Sequence, residues 1–110
     1  LKSTGSNSSM KLFLIQSIDR KLSFNDISSA KGISMEELIN ELEKIVFSGT
    51  KLDLNYYVDE ILDDEIQDEL HEYFIDSDSN EIENAIKEFD DIDEMDIRLF
   101  RIKFISELAN

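Results

Sequence analysis

The sequence predicts an all-α fold, and three observations lead to that prediction. Apolar residues recur with the 3.6-residue period of an amphipathic helix along most of the 110-residue chain. Proline is absent and glycine occurs only three times, so few residues interrupt a helix. Hydrophobic residues make up 41% of the chain, which at this length suffices for one buried core.

The first two predicted helices are joined by a short polar turn. One helix covers residues 10–18, where Leu14 and Ile18 lie on one face. A second, shorter helix is expected to follow Ser23 as its N-cap and to end at Gly32, which tolerates a left-handed backbone.

The third helix has the clearest start signal in the sequence. Ser34 and Glu37 form a capping-box pattern, and apolar residues follow at helical spacing to about residue 48. Gly49 suits the position just after the helix end. A short helix, a turn and a longer helix form a helix-turn-helix, in which the extended stretch 52–54 is interpreted as a reduced wing. This part of the fold is therefore expected to be winged-helix-like with its wing reduced.

Four further helices are predicted in the second half of the chain, where they form a small acidic helical bundle. The expected N-caps are Asp53 or Asn55 for the fourth helix, Asp63 or Asp64 for the fifth, and Asp93 for the seventh. The sixth begins near Ile82. These boundaries follow from short polar side chains that precede each apolar-periodic run.

The closing helix is expected at the centre of the core. Residues 97–105 are apolar on more than one side, as in a helix that is buried all round. The same residues also alternate in part, which leaves a strand as the alternative.

The predicted domain organisation is one helical domain behind a short linker. Residues 1–9 are polar and rich in serine, as in a linker or an expression remnant, and they suggest a domain taken from a longer protein. Residues 10–110 form the domain, with the helix-turn-helix part in 10–54 and the acidic helical part in 55–110.

Charge is distributed unevenly along the chain. The net charge is −15 overall, but residues 1–51 sum to +1, residues 52–96 to −18 and residues 97–110 to +2. Such an acidic segment repels phosphate and favours basic partners or simple solubility. The apolar runs are too short for a membrane span, so no membrane partner is expected and a cytoplasmic location is compatible.

The sequence offers no candidate catalytic or cofactor-binding residues. Cysteine is absent, the single histidine, His71, lies among acids, and the three glycines are isolated rather than grouped in a phosphate loop. Residues 76–80 match the first three ligand positions of an EF-hand loop. The match then fails, because Glu81 and Lys87 replace the required glycine and glutamate. No metal site is therefore expected.

The predicted helix-turn-helix suggests the hypothesis that this part of the chain contacts DNA. In that layout the third helix would enter the major groove. It carries Glu36, Glu37, Glu41 and Glu43 against Lys44 alone, which opposes strong phosphate binding. The cations that could cluster around it are Arg20, Lys21, Lys31, Lys44 and Lys51.

Three stretches resemble the C-terminal part of a known protein family. LSFNDISSAKGISMEELINEL (residues 22–42) resembles the helix-turn-helix module of bacterial RecQ-family DNA helicases. EKIVFSGTKLDLNYY (residues 43–57) and IRLFRIKFISELAN (residues 97–110) resemble the acidic C-terminal extension of Bacteroides-type members. The resemblance spans roughly residues 10–110 and implies a parent ATP-dependent 3′–5′ DNA helicase of repair and recombination.

The resemblance also implies where the chemistry lies. The family's Walker motif, acidic box and zinc-binding cysteines have no counterpart here, so ATP, magnesium and zinc are expected in the parent chain and no cofactor in these residues. The positions that match the family's DNA-contacting pattern are Lys31, Ser34, Met35, Asn40 and Lys44.

Two functions are compatible with these features. One is a non-catalytic accessory domain that contacts DNA weakly through residues 20–51, beside the rest of the helicase chain. The other is an acidic interaction or regulatory module, without DNA binding of its own, whose −18 segment docks on a basic protein surface.

Overall fold

A computed structural model describes the backbone of residues 2–77 and 82–108, with side chains from residue 9 onward. Within these ranges the chain is all-helical, which confirms the predicted fold class. The helices are α1 Lys2–Asp19, α2 Phe24–Lys31, α3 Met35–Phe47, α4 Asn55–Ile61, α5 Asp64–Asp76, α6 Ile82–Glu88 and α7 Glu94–Leu108.

Helices α2 and α3 form the predicted helix-turn-helix, and their ends are capped as expected. The Ser23 hydroxyl accepts a hydrogen bond from the Asp26 amide (3.1 Å) at the start of α2. Gly32 ends that helix with a left-handed backbone at φ 64°. The Ser34 hydroxyl and the Glu37 carboxylate complete a reciprocal capping box on α3. Local side-chain chemistry therefore fixes the turn between the two helices.

Two helix starts differ from the predicted ones. Helix α1 begins at Lys2, eight residues before the expected start at Met10, because a helix that is already packed extends through polar residues at little cost. The division into a linker and a domain stays a prediction. Helix α4 has Leu54 as its N-cap and no side-chain cap, although the Asp53 carboxylate accepts from the Asn55 amide (3.1 Å).

The extended segment 50–54 is anchored to α7. Leu52 and Leu54 are buried in the core. The Ser106 hydroxyl, also buried, donates to the Leu52 carbonyl (2.8 Å) and accepts from the Leu52 amide (2.7 Å). One side chain thus satisfies both backbone groups of a residue that has no strand partner in the described chain. Whether this segment corresponds to a wing stays a prediction.

Helix α7 is the central element of the core, as its apolar pattern predicted. Five of its apolar side chains are buried, and the helix packs against α3, α4, α5 and α6. The alternative prediction of a strand over residues 97–105 is wrong. Helix propensity and burial on several sides outweigh the partial alternation there. The buried apolar residues of α7 are Ile97, Leu99, Phe100, Ile102 and Phe104.

Aromatic contacts join the two halves of the chain into one core. The Phe24 ring of α2 stacks on the Tyr57 ring of α4 with centroids 3.9 Å apart. The Tyr56 hydroxyl donates to the Leu22 carbonyl in the turn before α2. Burial raises the pKa of Tyr56 to about 12, with a further contribution from the Glu60 carboxylate. The helix-turn-helix and the acidic helices are therefore one packing unit.

Replacing Ser106 with alanine should destabilise the fold by about 1–3 kcal/mol, because the buried amide and carbonyl of Leu52 lose their partner. Urea denaturation of the wild type and Ser106→Ala measures this difference. The matched control is Ser29→Ala on the exposed face of α2. Equal free energies of unfolding for the two variants would contradict the anchoring role.

Stability should fall at alkaline pH, in part through Tyr56. An unfolded tyrosine loses its proton near pH 10, whereas folded Tyr56 has a pKa of about 12. Between these values the unfolded state binds fewer protons, so the free energy of unfolding decreases as pH rises. We expect Tyr56→Phe, which cannot ionise, to have a lower Tm at neutral pH but a shallower decline between about pH 9 and about pH 11. Parallel Tm curves would exclude a contribution from this hydroxyl.

Candidate nucleic-acid interface

The outward face of α3 is the surface that a DNA-reading helix-turn-helix would present. Its inward face supplies core side chains that include Leu38, Leu42 and Ile45. Its outward face carries mainly acidic residues, with Glu36 and Glu37 in the first turn of the helix. The first turn of a recognition helix is the part that approaches bases and phosphates. Carboxylates at that position oppose DNA entry.

Ser34 and Met35, two predicted contact residues, already make contacts within the fold. The Ser34 hydroxyl accepts from the Glu37 amide (3.1 Å), and the Ser34 amide donates to Glu37 Oε1 (2.9 Å). Met35 is half-buried and packs against the hydrophobic core. Both residues therefore hold the start of α3 in place.

Asn40 and Glu43 are joined to α7 by one arginine. Arg98 Nη2 donates to Glu43 Oε1 (3.0 Å), and its Nε donates to Glu43 Oε2 (3.3 Å). The same Nη2 also donates to Asn40 Oδ1. The side chains of Arg98 and Glu43 are only 12% and 17% exposed. A forked guanidinium thus engages the amide oxygen that a base-reading asparagine would use.

The predicted cations lie at different places. Lys44 pairs with Glu41 (3.2 Å) on the surface of α3, and Lys31 Nζ lies over the Phe13 ring at 4.6 Å from its centroid. Arg20 and Lys21 are exposed in the turn after α1, where Lys21 has a positive φ of 60°. Lys51 borders a different hollow, beside Asp19, Asp53 and Glu107.

A shallow hollow, here called the α3 groove, brings together two of the eight predicted residues, Asn40 and Lys44. Its volume is about 470 Å³. Three carboxylates border it, and Lys44 and Arg98 offset two of them, so the remaining negative charge disfavours phosphate. The other six predicted residues do not line this groove. The polar residues of the groove are Glu37, Asn40, Glu41, Glu43 and Lys44.

Phe47 lines this groove, and Arg98 and Arg101 of α7 contact residues that line it, although none of the three was a predicted contact residue. The Arg101 guanidinium lies 5.2 Å from the centroid of the Phe47 ring, which is 52% exposed. Burial lowers the pKa of Arg101, and nearby Arg98 adds to that effect while Glu43 opposes it. The +2 charge of residues 97–110 was the sequence signal that could have pointed to the two arginines. Their position beside α3 depends on tertiary packing, which the local sequence does not show.

The described residues contain no group of three His, Cys, Asp or Glu side chains placed to hold a metal ion. Of the EF-hand-like stretch, Asp78 and Asn80 lie outside the described residues. At the start of α7, burial raises the pKa of Asp96, and the Asp93 carboxylate raises it further. No helix within the described ranges is long and apolar enough to span a bilayer.

Comparison with known families identifies the helix-turn-helix part. The family model described as "RecQ-1-like, helix-turn-helix domain" matches residues 8–58. Residues 8–58, here called the RecQ-1-like domain, are therefore similar to that helix-turn-helix family. The RecQ-1-like domain comprises most of α1, all of α2 and α3, the extended segment 50–54 and the first half of α4. A comparison with curated proteins found no match to the chain.

The match confirms the predicted resemblance of residues 22–42 to the helix-turn-helix module of RecQ-family helicases. Residues 59–110 lie beyond the match. The resemblance of residues 43–57 and 97–110 to a Bacteroides-type extension stays a prediction. The boundary falls inside α4, and α7, which lies beyond the match, packs against α3 within it. The RecQ-1-like domain thus shares its hydrophobic core with the helices that follow it.

Breaking the link between α3 and α7 should destabilise the chain. We expect Arg98→Ala to cost about 1.5–3 kcal/mol, as for hydrogen bonds to charged groups, because it leaves the Glu43 carboxylate without its main partner. Urea denaturation of Arg98→Ala, Glu43→Ala and the double variant gives the coupling energy. The exposed pair Glu41–Lys44 provides the control cycle, expected at about 0.5 kcal/mol or less. Equal coupling in both cycles would show that the link contributes no more than a surface pair.

Proposed function

We propose that this chain is a non-catalytic accessory domain of an ATP-dependent RecQ-like DNA helicase that unwinds DNA in repair and recombination. The match of residues 8–58 to the RecQ-1-like helix-turn-helix domain supports the proposal. The parent helicase would bind ATP, magnesium and zinc through residues outside this chain. The parent would be a bacterial, Bacteroides-type enzyme that acts in the cytoplasm.

Within that helicase the domain would contribute weak DNA contact or protein contact. Exposed Arg20, Lys21 and Lys31 favour a phosphate contact near the turns of the RecQ-1-like domain. The carboxylates of the α3 groove oppose the insertion of α3 into a major groove. The balance favours a weak, salt-sensitive contact with the backbone rather than base reading.

The alternative function is an acidic protein-interaction or regulatory module with no DNA binding of its own. Between residues 53 and 96, every described Asp and Glu except Asp96 is exposed, so the negative charge is available to a basic surface. These residues share their helices with core side chains such as Val58, Leu70 and Phe74. Removing the segment would therefore unfold the domain, and a test must change charges instead.

Fluorescence anisotropy with duplex and single-stranded DNA separates the two functions. We expect weak binding at about 20 mM salt that disappears near 200 mM, because few phosphates are contacted. The double variant Lys31→Glu/Lys44→Glu should weaken binding at least several-fold. The control Lys87→Glu makes one such charge reversal at an exposed position of α6, outside the RecQ-1-like domain, and should cost less than half as much binding free energy.

Absence of binding at about 20 mM salt, where phosphate contacts are strongest, would rule out the DNA-contact role. The accessory-domain proposal would then rest on protein contact alone. A loss of binding free energy in the double variant that is only twice the loss in Lys87→Glu would indicate that net charge, rather than the RecQ-1-like domain, determines the affinity.

A further inference from the structure

The α3 groove has an apolar part as well as its carboxylates. Phe47 at the C-terminal end of α3, Ile33 in the turn before it and Met10 of α1 complete the lining. Phe47 is 52% exposed, while Ile33 and Met10 are half-buried. The groove therefore combines exposed apolar surface with three carboxylates along one helix. Surfaces of this kind bind amphipathic helices, whose apolar face lies in the groove while charged residues pair at its edges.

We propose that the α3 groove docks a basic amphipathic helix of a partner protein. The apolar side chains of that helix would contact Phe47, Ile33 and Met10. Its Lys or Arg residues would pair with Glu37 and would replace Lys44 as the partner of Glu41. Charge complementarity supports this partner, because three glutamates with Lys44 and the Arg98 that pairs with Glu43 still leave a net charge of −1 (−3 + 2) at the groove. This inference goes beyond the accessory-domain function and does not depend on it.

Contacts within the domain hold the groove in its shape before a partner arrives. The capping box fixes the Glu37 carboxylate at the Ser34 amide (2.9 Å). Arg98 holds Glu43 from the α7 side, and Arg101 lies against the Phe47 ring. A preformed groove loses little side-chain freedom on binding, so more of the contact energy appears as affinity.

The same features disfavour DNA as the occupant. The Asn40 amide oxygen accepts from Arg98, and the Ser34 hydroxyl accepts from the Glu37 amide. Phosphates would approach the carboxylates of Glu37 and Glu41 with only Lys44 to offset them. A helix with cationic edges is instead attracted by these carboxylates, although it must avoid Lys44.

A peptide titration of the ¹⁵N-labelled chain tests the proposal by NMR. The probe is an amidated peptide of about 14 residues, roughly four helical turns, with leucine on one face and lysine on the other. A second peptide replaces every leucine with serine and keeps the charge. Both are titrated at about 0.15 M salt, which screens long-range attraction to the acidic surface of α4–α6.

We expect amide shifts along α3 and at Met10, with at least tenfold weaker binding of the serine peptide. Phe47→Ser should lower the affinity about tenfold or more, as for an aromatic anchor. The matched control Ile75→Ser removes a similarly exposed apolar side chain, 58% exposed, from α5 and should change affinity less than about twofold. Glu41→Lys should also weaken binding, and it decides the test alone if Phe47→Ser does not fold.

Three outcomes would overturn the proposal. The first is a set of shifts confined to α4–α6, and the second is an equal loss of affinity in Phe47→Ser and Ile75→Ser. The third is a DNA duplex that shifts the α3 amides at lower concentration than the leucine peptide does. A chain that docks the peptide on α3 without binding DNA would support this inference and remove the DNA-contact role.

Discussion

Helix α7 has apolar side chains on several sides, and one neighbouring helix cannot bury them all. The fold satisfies this constraint by placing α3 on one side of α7 and α4, α5 and α6 on others. Ile97, Phe100 and Ile102 are almost completely buried as a result. The RecQ-1-like domain therefore depends on a helix that lies outside its own residues, and the acidic half depends on the same helix. Neither part has a complete core without α7.

Polar contacts on α7 determine how the RecQ-1-like domain is oriented. Ser106 binds both backbone groups of Leu52, and Arg98 binds Glu43 on α3 about two helical turns away. These groups are largely buried, so losing a partner would leave a desolvated polar group rather than a hydrated one. Directional contacts of this kind select one arrangement among the many that apolar packing alone would tolerate. They also determine which face of α3 remains open.

Local rules explain why most of the fold could be predicted from the sequence. The caps at Ser23, Ser34, Asp63 and Asp93 act within three residues of the helices they start, so their signals are visible in a short window. The start of α1 could not be predicted, because polar residues without an apolar period extend the helix there. The predicted N-cap of α4 was also wrong, because the N-cap position is held by Leu54, which is buried in the core.

The candidate site was less predictable because its contacts connect distant parts of the chain. Arg98 and Asn40 are 58 residues apart, and nothing in either local sequence indicates that they meet. The resemblance placed Ser34 and Asn40 among possible DNA contacts, which stays a prediction, and the structure shows that both also hold α3 in place. The charge of α3 was visible in the sequence, but its pairing with Arg98 was not.

The surface of α3 illustrates how the same fold can present different chemistry. A helix-turn-helix that reads DNA keeps its polar side chains free for bases and supplies cations for phosphates. Here Arg98 and Arg101, residues of the type that bind phosphate, are directed at a glutamate and a phenylalanine of α3. Because those arginines are partly buried, redirecting them to DNA would expose Glu43 next to the phosphates and lose the contact with Phe47. The packing of α7 thus makes DNA reading by α3 costly, while it leaves Phe47 and Glu37 exposed to a cationic helix.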